Sequence, residues 1–141
     1  MAKKLRVLLV SPGKTPEVIF VEDNYHAFQR VVGGHFQRVF PWQDPVAVIC
    51  NEDGKPLGLP PNRAIFKDEE HEQGDLTIRG NGRILDVLVG NFFIAGLDYP
   101  EVTILSDELI EKYRQRFRYP EIFIPVPGKK TVIVERIPFS K

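Results

Sequence analysis

Hydrophobic residues recur along the chain in two spacings, and these spacings predict its secondary structure. Short apolar runs at 5–10, 18–21, 46–50 and 92–95 are typical of strands, and the segment 36–40 also has strand character. The run at 5–10 is almost continuously apolar and ends at Ser11-Pro12-Gly13, which indicates an interior strand covered on both faces.

Two segments instead repeat apolar residues at helical spacing, at 24–32 and 107–118. Asp23 or Asn24 is placed to cap the first helix, and Gly33-Gly34 is expected to stop it. Ser106 precedes the second helix, whose first turn is acidic. We predict these two as the principal helices.

The segments between these elements carry turn and loop patterns. Asn81-Gly82 predicts a two-residue hairpin turn, and Gly90-Asn91 marks either a second hairpin or a bulge. The segment 56–62 has too many prolines for a helix or a ladder, so we expect an extended loop, and 67–74 is expected to be an acidic linker. Strands at 122–126 and 131–137 are predicted to close the chain as a hairpin.

Together these elements predict an α+β fold with a mixed, mainly antiparallel sheet and two principal helices in a single domain. The domain is expected to span 1–141, with a core region through 118 and the hairpin at 119–141. One hydrophobic core is expected to contain residues from both helices and the sheet: Phe28, Val48, Ile49, Leu88, Phe93 and Tyr113.

Composition and charge narrow the function classes. The 141 residues include 19 basic and 19 acidic side chains, so no global field attracts nucleic acid or an anionic membrane. Cys50 is the single cysteine, which excludes an internal disulfide, and the N-terminus lacks the apolar core of a signal peptide. The cytoplasm is the expected location, or the host cytoplasm if the chain is encoded by a phage.

The sequence contains no complete catalytic or metal-binding motif. Gly13-Lys14-Thr15 follows a strand as in a phosphate-binding loop, but Leu8 stands where that motif needs its first glycine. The three histidines and Cys50 show no ligand spacing, so no metal and no cofactor is expected. Cys50 is expected to be a buried hydrophobe rather than a nucleophile.

Two groups of polar residues remain as candidate ligand contacts. Lys112, Arg114, Arg116 and Arg118 lie near the end of the second helix, where they either complement its dipole or form an anion site, with Arg114 and Arg118 on one flank. Asn62 and Arg63 follow the proline-rich segment and either bond its backbone or face a ligand. The predicted ligand-binding set, with residues from two further turns, is Lys14, Asn51, Asn62, Arg63, Arg114 and Arg118.

Five segments carry a resemblance to a family. They are 8–14, 32–34, 46–55, 58–64 and 90–96, which include Ser11-Pro12-Gly13-Lys14 and Gly58-Leu59-Pro60-Pro61-Asn62-Arg63. In order and spacing they resemble small proteins of phages and mobile elements grouped as the domain of unknown function DUF3846. The resemblance spans about 5–117 and implies a setting, by analogy that of small phage accessory proteins that act on host defence, but no mechanism.

The leading hypothesis is a non-enzymatic binding protein that captures a small anionic ligand, such as a nucleotide signal, or docks on a host protein. The first alternative is an enzyme acting on nucleotides or phosphate esters, with Asp53 or Asp86 as base. The second is a structural or oligomer-forming accessory domain. A homo-oligomer is left open, while a membrane and nucleic acid are disfavoured as partners.

Overall fold

The computed structural model describes residues 3–66, 84–128 and 132–137. In chain order its elements are β1 (Lys4–Val10), β2 (Glu17–Glu22), α1 (Tyr25–Val32), β3 (Phe36–Val39), β4 (Val46–Asn51), α2 (Gly54–Leu57), β5 (Pro61–Phe66), β6 (Ile84–Val89), β7 (Phe92–Asp98), β8 (Glu101–Thr103), α3 (Asp107–Arg116), β9 (Glu121–Pro125) and β10 (Val132–Arg136). These elements confirm the α+β class.

The main sheet has the order β2-β1-β7-β4-β3, and β8 pairs with β7 beside this path. Strands β5 and β6 form one two-stranded sheet, and β9 and β10 form another. Every strand pair within the described residues is antiparallel. The predicted interior position of β1 is confirmed, because it lies between β2 and β7.

The expectation of one hydrophobic core is wrong, since the described residues form two large clusters. Val48 and Leu88 belong to the cluster that also contains Tyr113 of α3, whereas Ile49 and Phe93 belong to the one that contains α1. Consecutive residues of a strand point to opposite faces of a sheet, so Val48 and Ile49 cannot share a core. The main sheet is therefore the central layer between α1 and α3.

The helix ends follow the predicted capping chemistry. Asn24 Oδ1 accepts a hydrogen bond from the Ala27 N–H at 2.8 Å, and Ser106 Oγ accepts one from Leu109 N–H at 3.3 Å. Gly33 ends α1 with a φ of 84°, in the left-handed region that favours glycine. Helix α3 ends at Arg116, two residues before the predicted end: Phe117 is its C-cap, and the Arg118 N–H donates to the Gln115 carbonyl at 3.3 Å in a tighter turn.

The predicted extended loop at 56–62 is also wrong. Residues 54–57 form the short helix α2, in which Pro56 lies within the first turn, where an N–H has no helical partner. Gly58 closes this helix with a φ of 74°, and Pro61 begins β5, a position that tolerates proline.

The predicted turns and hairpins compare with the structure as follows in chain position and pairing. Gly90-Asn91 is neither a hairpin turn nor a bulge, since β6 pairs with β5 while β7 belongs to the main sheet. The C-terminal hairpin is confirmed by the antiparallel pairing of β9 with β10. The predicted Asn81-Gly82 hairpin turn and the linker at 67–74 lie outside the described residues.

Candidate functional site

The side chain of Arg63 in β5 is fully buried and connects three parts of the chain. Its Nη2 donates to the Lys14 carbonyl at 2.7 Å and to the Phe117 carbonyl at 2.8 Å, and its Nε also donates to Phe117 at 3.3 Å. Its Nη1 donates to the Asn62 side-chain oxygen at 2.8 Å and to the Asn62 carbonyl at 3.3 Å. We call Arg63 and these three partners the Arg63 cluster.

The Arg63 cluster completes the C-terminal end of α3. Phe117 is the C-cap of this helix, where carbonyl groups lack partners inside the helix and carry its negative dipole end. Arg63 supplies both the donors and a positive charge to this end. Burial lowers the pKa of Arg63 to about 10, while the negative charge of Glu121 opposes that change. The guanidinium therefore remains charged at neutral pH.

Asn62 is also buried. It joins β5 to the last residue of β1 and to the residue pair that precedes β7. Its Nδ2 donates to the Val10 carbonyl at 3.0 Å and to the Gly90 carbonyl at 2.8 Å, while its Oδ1 accepts from Arg63. The polar groups of Asn62 and Arg63 are thus bonded inside the protein. These contacts correspond to the structural alternative for the two residues, rather than to direct contact with a ligand.

The Arg63 cluster brings two exposed cations to one part of the surface. The carbonyls of Lys14 and Phe117 accept from the same Arg63 nitrogen, so the turn between β1 and β2 lies against the end of α3. Lys14 and Arg118 are exposed there, and within the described residues neither forms an ion pair. Exposed lysine and arginine side chains are groups that bind anions, so these adjoining turns are a candidate anion site.

The turn that carries Lys14 is open to solvent. Lys14 N–H donates to the Ser11 carbonyl at 3.2 Å, and Gly13 between them has a φ of 75°. Among the described residues, a Cβ added at Gly13 would have no heavy atom within 4 Å. The described part of the chain therefore leaves the Gly13 side of this turn open to a ligand.

The four predicted cations of α3 divide into two groups. Lys112 Nζ pairs with Asp44 Oδ2 at 2.6 Å, and the Arg116 guanidinium lies 5.8 Å from the Trp42 ring centre, so both serve packing of the β3–β4 connection. Arg114 is exposed and lies 3.8 Å from a Glu111 carboxylate oxygen. Arg118 lies beyond the end of α3, so the predicted helical flank shared by Arg114 and Arg118 is not formed as such.

Asp44 fixes that connection to α3 and was not predicted. Its Oδ2 accepts from Lys112 Nζ and from the Tyr113 hydroxyl, each at 2.6 Å. Burial acts to raise the pKa of Asp44, but these hydrogen bonds and the charges of Lys112 and Arg116 lower it below the ordinary value of 3.8. The ionised carboxylate therefore stabilises the folded state.

We expect Asp44→Asn to lower the free energy of unfolding at neutral pH by about 1–2 kcal/mol, since charge-assisted hydrogen bonds are lost. Because the pKa of Asp44 is lowered by folding, its contribution is present above 3.8 and is lost as pH falls through the lowered value. Urea unfolding at neutral and acid pH measures this, with the exposed Asp98→Asn as control. A stability difference that is the same at both pH values would contradict it.

Asn51, the remaining predicted residue, lies away from the Arg63 cluster's bonds. Its Nδ2 donates to the Val32 carbonyl at 3.1 Å, and its Oδ1 accepts from Asp53 N–H at 2.7 Å. It lines a cleft of about 150 Å³ together with Cys50, and at this cleft Lys55 pairs with Asp86. The opposite charges of Lys55 and Asp86 offset each other, so this cleft lacks a positive excess for an anion.

Cys50 is 4% exposed, as predicted for a buried hydrophobe. Burial raises the pKa of its thiol, although a contact from Gln37 acts in the opposite direction. The thiol is therefore protonated at neutral pH, which does not favour a nucleophilic role. Within the described residues, the candidate bases Asp53 and Asp86 form no hydrogen bond or ion pair with the Arg63 cluster.

A second buried ionic group lies next to the Arg63 cluster and was also not predicted. Glu121 of β9 accepts a hydrogen bond from Ala64 N–H at 2.8 Å, and its other oxygen lies 3.5 Å from Arg136 Nε. Burial raises the pKa of Glu121, and the Ala64 N–H and the charges of Arg136 and Arg63 oppose this. This carboxylate fastens the C-terminal hairpin to β5.

In the part of the chain that the structure describes, no three His, Cys, Asp or Glu side chains are grouped to hold a metal ion. None of the helices described is long and apolar enough to cross a membrane. A family model described as a domain of unknown function, DUF3846, matches residues 5–118. No curated protein and no solved structure matches the chain.

Proposed function

The chain belongs to the DUF3846 family, and we propose that it is a non-enzymatic binding protein that captures a small anionic ligand. The proposed site is the surface at the Lys14 and Arg118 turns, with Arg114 four residues earlier in α3. The observation that carries the proposal is the pair of bonds from Arg63 Nη2 to the Lys14 and Phe117 carbonyls, at 2.7 and 2.8 Å. They hold the two cation-bearing turns together.

The charge of the site favours a phosphorylated ligand. An α-helix presents the negative end of its dipole at its C-terminus, which ordinarily repels anions. Here the buried guanidinium of Arg63 bonds the terminal carbonyl twice, and Arg118 and Lys14 add exposed positive charge. A phosphate can then accept from the Arg118 fork and from the Lys14 ammonium.

A nucleotide is the ligand class we propose, since it combines phosphates with a flat base. The Arg118 guanidinium lies 5.3 Å from the Tyr119 ring centre, so an aromatic surface adjoins the proposed phosphate position. The phage and mobile-element setting suggested by the resemblance would make such a ligand a nucleotide signal of host defence. This setting is part of the proposal.

Incubation with a nucleotide mixture, followed by native and denaturing mass spectrometry, tests the proposal. We expect an unchanged nucleotide to be retained, and we expect Lys14→Ala and Arg118→Ala each to weaken its binding by about tenfold or more, since each removes a charge-assisted contact of about 1.5–3 kcal/mol. The double variant Lys4→Ala with Arg30→Ala removes as much positive charge as Lys14→Ala and Arg118→Ala do together, but from exposed positions elsewhere, and it should bind normally.

Three outcomes would contradict the proposal. Conversion of a nucleotide would favour the enzyme alternative, and a multimer that is indifferent to every ligand in light scattering and thermal shifts would favour the structural alternative. Retention of a nucleotide by the doubly substituted Lys14→Ala, Arg118→Ala protein at unchanged affinity would show that the ligand binds elsewhere.

A further inference from the structure

Strand β2 forms one edge of the main sheet. All six of its residues pair with β1, from Glu17 opposite Leu9 to Glu22 opposite Lys4, without a shift of register. Within the described residues no strand pairs with its outer side. A regular edge of this kind presents backbone N–H and C=O groups that an added strand can pair.

The usual protections of an edge strand are absent from β2. Edge strands are commonly short or interrupted by lysine, proline or a bulge, and β2 contains none of these between its terminal glutamates. Phe20 near its middle is 66% exposed. The opposite edge strand, β3, is shorter at four residues and carries Arg38, which donates to the Pro100 carbonyl at 2.7 Å. The two edges therefore differ in accessibility.

The charges of β2 determine which strand it can accept. Glu17 and Glu22 lie at its two ends, and within the described residues the Glu22 carboxylate accepts a single, neutral hydrogen bond, from the Asn24 amide at 3.3 Å. A second copy in the fully paired antiparallel register would place Glu17 opposite Glu22 at both ends. Like charges directly opposite each other destabilise a strand pair, whereas opposite charges stabilise it.

We infer that the outer edge of β2 binds an extended segment of another protein, with basic residues at both ends and β-branched residues between them. The backbone of β2 supplies the hydrogen bonds, Phe20 supplies apolar contact, and Glu17 and Glu22 select the basic ends. This interaction is independent of the proposed anion site, since no residue is shared.

Fluorescence anisotropy with two labelled peptides tests the inference on the wild-type protein. Both peptides alternate valine and threonine, one flanked by lysines and the other by glutamates. We expect the lysine peptide to bind and to slow amide hydrogen exchange in 17–22, and the glutamate peptide to bind at least about fivefold more weakly. Binding of neither peptide, equal binding of both, or binding without protection of 17–22 would overturn the inference.

The double variant Glu17→Lys, Glu22→Lys should reverse this preference, because its ends then repel lysine and attract glutamate. The control is Glu101→Lys with Glu135→Lys, which changes the net charge equally at exposed positions outside β2 and should keep the wild-type preference. Equal effects of both double variants would show a general charge effect and overturn the inference. A protein dimer in ultracentrifugation with protected β2 amides would show that a second copy occupies the edge instead.

Discussion

Replacing Arg63 by alanine is expected to lower the free energy of unfolding by about 3–5 kcal/mol, and the melting temperature by roughly 10 °C or more. The substitution removes a fully buried side chain and leaves the carbonyls of Lys14, Phe117 and Asn62 without the donors they have in the native protein. Chemical unfolding with urea and differential scanning calorimetry measure the loss.

Two further variants test whether the loss of stability comes from the buried guanidinium of Arg63. Arg63→Lys keeps the charge but cannot reproduce the planar guanidinium fork, so we expect it to restore only a small part of the stability. Arg118→Ala removes an exposed cation from the same region and should unfold nearly as the wild type does. If Arg63→Ala melts like Arg118→Ala, the hydrogen bonds assigned to Arg63 do not support the fold.

Replacing Glu121 by alanine is expected to lower the free energy of unfolding by about 3 kcal/mol or more, because it removes the buried carboxylate that accepts from the Ala64 N–H and pairs with Arg136. Glu135 lies on the same hairpin and is exposed, so Glu135→Ala provides a matched control with little expected effect. Urea unfolding compares the two, and equal stabilities would contradict the role of Glu121.

The pH dependence of Glu121 has a defined sign. Because folding raises its pKa above the ordinary value of 4.5, the folded state holds this proton more tightly than the unfolded state. The contribution of protonated Glu121 to the free energy of unfolding is fully present below pH 4.5. It is lost as the pH rises through the raised pKa of Glu121. Glu121→Gln cannot ionise, so its stability should not fall over that interval as the wild type's does.

Local features of the fold could be predicted from the sequence because their causes are local. Asn24 and Ser106 cap the helices that follow them, and the apolar run at 5–10 forms an interior strand. The division of the core into two clusters follows from strand alternation, which places Val48 and Ile49 on opposite faces of the sheet. The alternation could therefore have predicted two clusters, whereas the expectation of one core placed both residues together.

The Arg63 cluster could not be assembled from the sequence in the same way. Arg63 is 49 residues from Lys14 and 54 from Phe117, so no spacing pattern reports these contacts. Arginine is rarely fully buried, and its chemistry suits a ligand as well as backbone carbonyls. The prolines before Arg63 predict an extended loop, whereas residues 54–57 form a short helix that Gly58 closes in the left-handed region.

Asp44 and Glu121 were missed for a related reason. Each is a single carboxylate whose partners come from distant elements, α3 for Asp44 and β5 and β10 for Glu121. Charged residues are usually solvated, so an isolated acidic residue in the sequence gives no indication of burial. Only the tertiary fold distinguishes these two from the exposed carboxylates.

Whether the Lys14 and Arg118 turns bind an anion can be measured by NMR titration of the isotopically labelled protein with ATP. We expect saturable chemical shift changes at the amides of 13–15 and 117–119, and we expect the doubly substituted Lys14→Ala, Arg118→Ala protein to lose them. Changes confined to the cleft at 50–56 and 86–89, or no saturable changes at any concentration, would show that these turns do not bind the anion.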